Sequence, residues 1–161
     1  MTPFARVNAW MRRLLAALVI VSAVGLAGTM TVQVVLRYLL QVPLMGVEEM
    51  STLFGLWLYF AGFALVSVND SHIRGGFFSA FLSARAKDRL DRLFLLACAG
   101  LCVYFFLLSL DYTQFVFDVN RRSTFLRWPT VIWSASLNLG LALAAVGSVL
   151  QALDPARRAR P

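Results

Sequence analysis

Few side chains in this sequence are of types that carry chemistry, and their spacing decides most of the cases. The chain has one histidine, His72, which excludes a paired-histidine haem or metal site within it. Cys98 and Cys102 stand four apart in an apolar run and so share one helix face inside hydrocarbon. Membrane thiol oxidoreductases need cysteines at the aqueous edge, so this pair reads as apolar filler. Asp111 and Asp118 lie one helix face apart near the end of an apolar segment. They offer a cation site, but carboxylates snorkelling to a membrane surface are the preferred reading. Arg37 and the pair Glu48-Glu49 flank the link between two apolar segments. Helix-dipole complementarity accounts for them, at about 0.3–1 kcal/mol each. The sharper alternative is an Arg37–Glu49 ion pair that ties two helices or meets a partner. No Ser/His/Asp set, phosphate loop or carboxylate dyad is formed, and no catalytic, cofactor-binding or metal residue is assigned.

The elements that must position these residues are membrane helices. Hydrophobic residues make up 60% of the 161 positions and mean hydropathy is +0.73, far above a soluble domain. A bilayer span takes roughly 20 predominantly apolar residues. Four segments qualify, at about 14–36, 49–68, 93–117 and 130–153. The reading is an all-α integral membrane protein with four transmembrane helices in a single membrane domain, 1–161. Arg12-Arg13 before LLAALVIVSA resembles the start of a signal peptide, but signal-peptide apolar cores run only about 7 to 15 residues. Here the apolar run continues to Leu36, so an uncleaved anchor helix is expected.

Basic residues give the orientation. Of the fifteen, eleven fall in the N-terminal tail, the loop between spans two and three, and the C-terminal tail. The opposite side carries Arg37, Arg121, Arg122 and Arg127. Excess Lys and Arg mark the cytoplasmic side, so both termini are expected inside. The net charge of +7 follows from topology and lipid headgroups, with no nucleic acid implied. Between spans two and three, Phe77, Phe78, Phe81, Leu82, Ala86, Leu90, Leu93 and Phe94 recur at helical spacing against a charged face. That pattern predicts an amphipathic interfacial segment at about 76–92, with a cytoplasmic extension of span three as the alternative for its second half.

Small residues predict where helices approach closely. Ser136, Gly140, Ala144 and Ser148 recur every four residues along span four, a ladder that admits another backbone. Gly25 and Thr29 do the same for one turn of span one. In span two, Thr52, Gly55, Tyr59 and Gly62 share one face and Trp57, Ala61 and Leu65 another; two such faces hint at contact with another protein. Asn138, the strongly polar residue near mid-depth of span four, is expected to act as interhelical glue.

Several of these residues, taken in order, resemble the small membrane subunit of TRAP (tripartite ATP-independent periplasmic) transporters. They are Arg37-Tyr38, Pro43, Glu48-Glu49, Trp57 and Gly62, then His72-Ile73-Arg74, the stretch Ser123 to Pro129, and Gly140. The resemblance covers nearly the whole chain. It departs at Gly46, where the family usually has an aromatic, at Gly75-Gly76, where an apolar–acidic pair is common, and at Asn138-Leu139, where the family places a proline.

The resemblance implies a division of labour. A periplasmic substrate-binding protein captures an organic acid, and a large membrane subunit holds the substrate and sodium sites. The small subunit scaffolds the large one in the inner membrane and helps dock the binding protein for sodium-coupled uptake. On that basis Arg37, Glu48, Glu49, Trp57, His72 and Arg74 fall to helix edges and subunit contacts. Arg121, Arg122 and Arg127 fall to docking, and Gly55, Gly62, Ser136, Gly140, Ala144 and Ser148 to helix packing. Two other readings remain. One is the small subunit of a tripartite tricarboxylate transporter. The other is a self-sufficient small transporter or membrane enzyme using Asp111, Asp118 or the cysteine pair.

Overall fold

The computed structural model describes residues 3–42, 45–69 and 84–153. They form four long helices: α1, Pro3–Val34; α2, Val47–Asn69; α3, Ala84–Asp118; and α4, Val131–Leu153. Each is long and apolar enough to cross a membrane, as the apolar runs predict. The spans at 14–36 and 93–117 lengthen, because α1 starts at Pro3 and α3 at Ala84. His72, Arg74 and residues 76–83 of the expected interfacial segment lie outside the described residues. From Ala84 onward that segment is helix continuous with span three, which is the alternative reading of its second half.

The helices stand in a row, α1–α2–α4–α3, rather than in a closed bundle. α2 packs on α1 and α4, α4 packs on α2 and α3, and the two outer helices have one substantial neighbour each. Burial follows this order: 44% of the α4 span is buried within the chain, against 11% for α1. Composition explains the central place of α4. Ser136, Gly140, Ala144 and Ser148 are all buried, joined by Gly147, Ala145 and Leu141, so α4 is slim enough for a neighbour on each side. Without a hydrophobic driving force between helices in lipid, close van der Waals contact and interhelical hydrogen bonds carry the association.

Each contact has its own chemistry. Against α1, α2 buries Ala61, Ala64 and Val68 around Leu15, and Ser51 Oγ donates to Thr29 Oγ1 at 3.2 Å. Gly25 faces the Phe54 ring so closely that a Cβ there would lie 2.6 Å from it. Against α2, Gly140 of α4 lies on the backbone of Phe60: a Cβ would sit 2.8 Å from the Phe60 carbonyl oxygen and 2.6 Å from its Cβ. One turn pair deeper, Gly147 meets Val68, and Gln151 Nε2 donates to the Val68 carbonyl at 2.7 Å. That carbonyl is one of the four that a helix C-terminus leaves without an intrahelical partner.

The α3–α4 contact is a seam with three-four spacing. Leu95, Ala99, Cys102, Ser109 and Val116 are buried, and the half-buried Phe106 and Thr113 complete the repeat. This is the seam spacing of left-handed helix pairs. In the third of the seam nearest the α3–α4 connection, Asn138 of α4 is held between two hydroxyls of α3. Ser109 Oγ donates to Asn138 Oδ1, and Asn138 Nδ2 donates to Thr113 Oγ1 at 2.8 Å. Asn138 thus joins helices as its position predicts. Beside Gly55 and Gly62 nothing among the described residues lies within 4 Å of where their Cβ would be, so no other helix of the described chain approaches α2 closely there. Ala61 and Leu65, on the other predicted face of α2, do pack, against α1.

Candidate functional site

The start of α2, the end of α3 and the start of α4 converge on one structure, the loop 119–130. α3 closes with Asn120 in the left-handed region, φ 46°. Arg121 N donates to the Val116 carbonyl at 3.1 Å and Asn120 N to that of Phe117 at 3.0 Å, a Schellman cap with asparagine in the usual glycine place. The loop then folds back on itself. Ser123 N donates to the Trp128 carbonyl and Thr130 N to that of Arg121, both at 2.9 Å, and Trp128 N donates to Ser123 Oγ at 3.2 Å. Arg127, also left-handed at φ 58°, makes the turn.

Glu49, in the first turn of α2, holds the tip of this loop. Its Oε1 accepts from Phe125 N at 2.9 Å and its Oε2 from Leu126 N at 3.0 Å. Both carboxylate oxygens are thereby given to loop backbone, and hydrogen bonds to an ionised acceptor are the stronger kind. Gly46 makes the close approach possible. Its carbonyl accepts from the Glu49 and Met50 amides, opening α2, and its φ of 104° lies where only glycine rests without strain. Leu126 Cδ2 would stand 3.2 Å from a Cβ at this position. The departure at Gly46 noted in the sequence is therefore built into the seat of the loop.

The Arg37–Glu49 ion pair does not form. Glu49 is engaged by the loop, while Arg37 lies 5.9 Å from the ring centroid of Tyr38 in a π-helical turn, Val35–Leu39, that ends α1. Glu48 instead accepts from Gln33 Nε2 at 3.2 Å, linking the end of α1 to the start of α2. Arg121, Arg122 and Arg127 are all exposed, together with Phe125 and Trp128. The result is a pinned loop presenting three cations and two aromatic rings. Trp57 is half-buried on α2.

Elsewhere the structure gives little for chemistry. Cys102 is buried against Ala144 and Ala145, Cys98 is half-buried, and both thiols are free. Asp111 and Asp118 are exposed. Among the described residues no three His, Cys, Asp or Glu side chains gather as metal ligands do.

Sequence reasoning missed Ser109, Thr113, Gln151 and the whole receiving side of Glu49. The three-four repeat from Leu95 to Val116 was the signal for the first two. Nothing marks the last, because its donors are main-chain amides.

A search of the curated proteins found no significant match. Residues 26–158, which include the α2 opening, the loop and all of α4, match the family described as tripartite ATP-independent periplasmic transporters, DctQ component. With four membrane-spanning helices and that match over most of its length, the chain belongs to the DctQ family and is the small permease component of a TRAP transporter.

Proposed function

We propose that the chain scaffolds the large membrane subunit and presents the 119–130 loop as part of the docking surface for the periplasmic substrate-binding protein. Both termini then face the cytoplasm, the loop faces the periplasm, and the complex takes up organic acids with sodium bound in the large subunit. The observation that carries this reading is the clasp of Glu49 on Phe125 and Leu126. It fixes a loop bearing Arg121, Arg122 and Arg127 at the outer ends of three helices, with no catalytic group beside it. A rigid, exposed, cationic surface with Trp128 and Phe125 at hand suits an acidic protein face. Arginine and tryptophan are over-represented where binding energy concentrates, and complementary charge speeds encounter.

The test is charge reversal at Arg121 and Arg122 together. The reading expects transport to fall at limiting binding protein and to recover when binding protein is raised, since docking rather than translocation is impaired. Unchanged transport at limiting binding protein would contradict it. Weakening of the effect by added salt is expected as well, because exposed charges are screened within about 8 Å at physiological ionic strength.

A further inference from the structure

α3 carries two seams of the same spacing, and only one is filled. The first, Leu95 to Val116, is buried against α4. The second runs Gly100, Tyr104, Leu107, Asp111, Gln114 and Asp118, again at steps of four and three, on the side of the helix turned away from α4. All six are exposed, Tyr104 at 58% and Leu107 at 56%, and a Cβ on Gly100 would meet nothing within 4 Å.

Depth makes the second seam informative. Asp111 lies between Ser109 and Thr113, the two residues that hold Asn138. Asn138 is seven residues below the start of α4 at Val131, about 10 Å at the helical rise. α4 itself is 23 residues long, about 34 Å, only a little more than the roughly 30 Å of hydrocarbon it must cross. It cannot slide far outward, so Asp111 and Gln114 stand below the membrane surface on the outer side of an edge helix. Intramembrane ionisable residues face protein or water rather than lipid.

The geometry points to this seam as the place where α3 receives a transmembrane helix of another protein that carries an arginine or lysine at the level of Asp111. The three-four spacing is that of a helix partner. The open Gly100 gives room for close approach at the inner end of the seam, and Gln114 supplies a second hydrogen-bonding group beside the charge. A second copy of this chain is disfavoured as occupant, because its own seam would bring Asp111 and Asp118 against their like. The inference rests on the reading of the chain as one subunit of a membrane complex, and it assigns to that complex a specific helix face.

The experiment places p-benzoylphenylalanine at position 114 of the full chain in its native membrane, with position 101 as a control on a neighbouring exposed face. Ultraviolet cross-linking at 114 should yield an adduct with one larger polytopic protein, and position 101 should not. Asp111→Lys should lower the yield about tenfold, the factor expected when an attractive contact is lost and a like charge takes its place. Asp111→Asn, which keeps shape and membrane insertion, should lower it less. Lipid adducts alone, while the larger protein still co-purifies, would overturn the seam assignment and leave the subunit reading intact. Adducts of the chain with itself would overturn it in favour of a homodimer. Undiminished yield in both Asp111 variants would overturn the cationic partner. Failure of any larger protein to co-purify would remove the reading beneath it.

Discussion

The central helix α4 meets its two neighbours by different means. Toward α2 it offers glycine, and backbone approaches backbone: Gly140 on Phe60, Gly147 on Val68. Toward α3 it sets Ala144 and Ala145 against Cys102 of the three-four seam and adds one polar clasp, Asn138 between Ser109 and Thr113. The first contact tolerates almost no added volume. The second has a separable part, a hydrogen-bond pair whose removal leaves Leu95, Cys102 and Val116 in place. In lipid, where apolar burial between helices gains little over contact with acyl chains, fit sets the stiffer constraint and polar pairing the milder one.

Three substitutions probe that contrast. Gly140→Ala should have the largest effect. Its Cβ meets the Phe60 carbonyl, which cannot rotate away, so α2 and α4 must separate. A loss of about 1–3 kcal/mol is expected, as for overpacked cores, seen as a lower thermal midpoint in mild detergent. Asn138→Leu comes next, at about 0.6–1.7 kcal/mol, the range found for interhelical hydrogen bonds in membranes. Its signature is loosening of α3 with α2 unaffected, read by hydrogen exchange of the half of each helix nearest the loop 119–130. If Asn138→Leu proved costlier than Gly140→Ala, the ranking of fit over polar pairing would be reversed. Gly62→Ala should be the smallest, within about 0.5 kcal/mol in the isolated chain, because nothing in the chain stands near that position.

Glu49 extends the comparison to the helix ends around the loop 119–130, where it holds the loop by polar contacts. Glu49→Ala leaves the amides of Phe125 and Leu126 without their acceptor. The loop should become more readily cleaved by added protease while helix content is unchanged. Glu48→Ala should not reproduce this, since Glu48 contacts Gln33 instead. Equal sensitivity of the two variants would show that the loop is held by something other than the Glu49 clasp.

The sequence made different parts of this plain to different degrees. Four spans were readable because bilayer thickness fixes their length and their apolarity. The ladder Ser136–Gly140–Ala144–Ser148 was readable because small residues at every fourth position serve few other ends in a membrane helix, and Asn138 because a lone amide at depth needs a partner. The row order of helices was not readable. It depends on which helix is slim on two sides, and that required knowing that Gly140 and Gly147 of α4 both face α2 while Ala144 and Ala145 meet Cys102. The partner of Glu49 was hidden for another reason. Arg37 is the obvious side-chain complement nearby in sequence, whereas the true donors are amides 76 and 77 residues away whose side chains say nothing of their role. Gly55 and Gly62 show the limit of such spacing, because small residues mark close approach without saying whether the approaching helix is in the same chain.

Membership in the TRAP small-permease family makes this chain one part of a larger machine, and the open row of helices agrees with that. The most direct test is to tag the chain, extract it gently from its native membrane and determine what comes with it. Recovery of one large polytopic membrane protein in equal amount is the expected result. A stable, monodisperse chain recovered alone and able to transport by itself in liposomes would contradict the account.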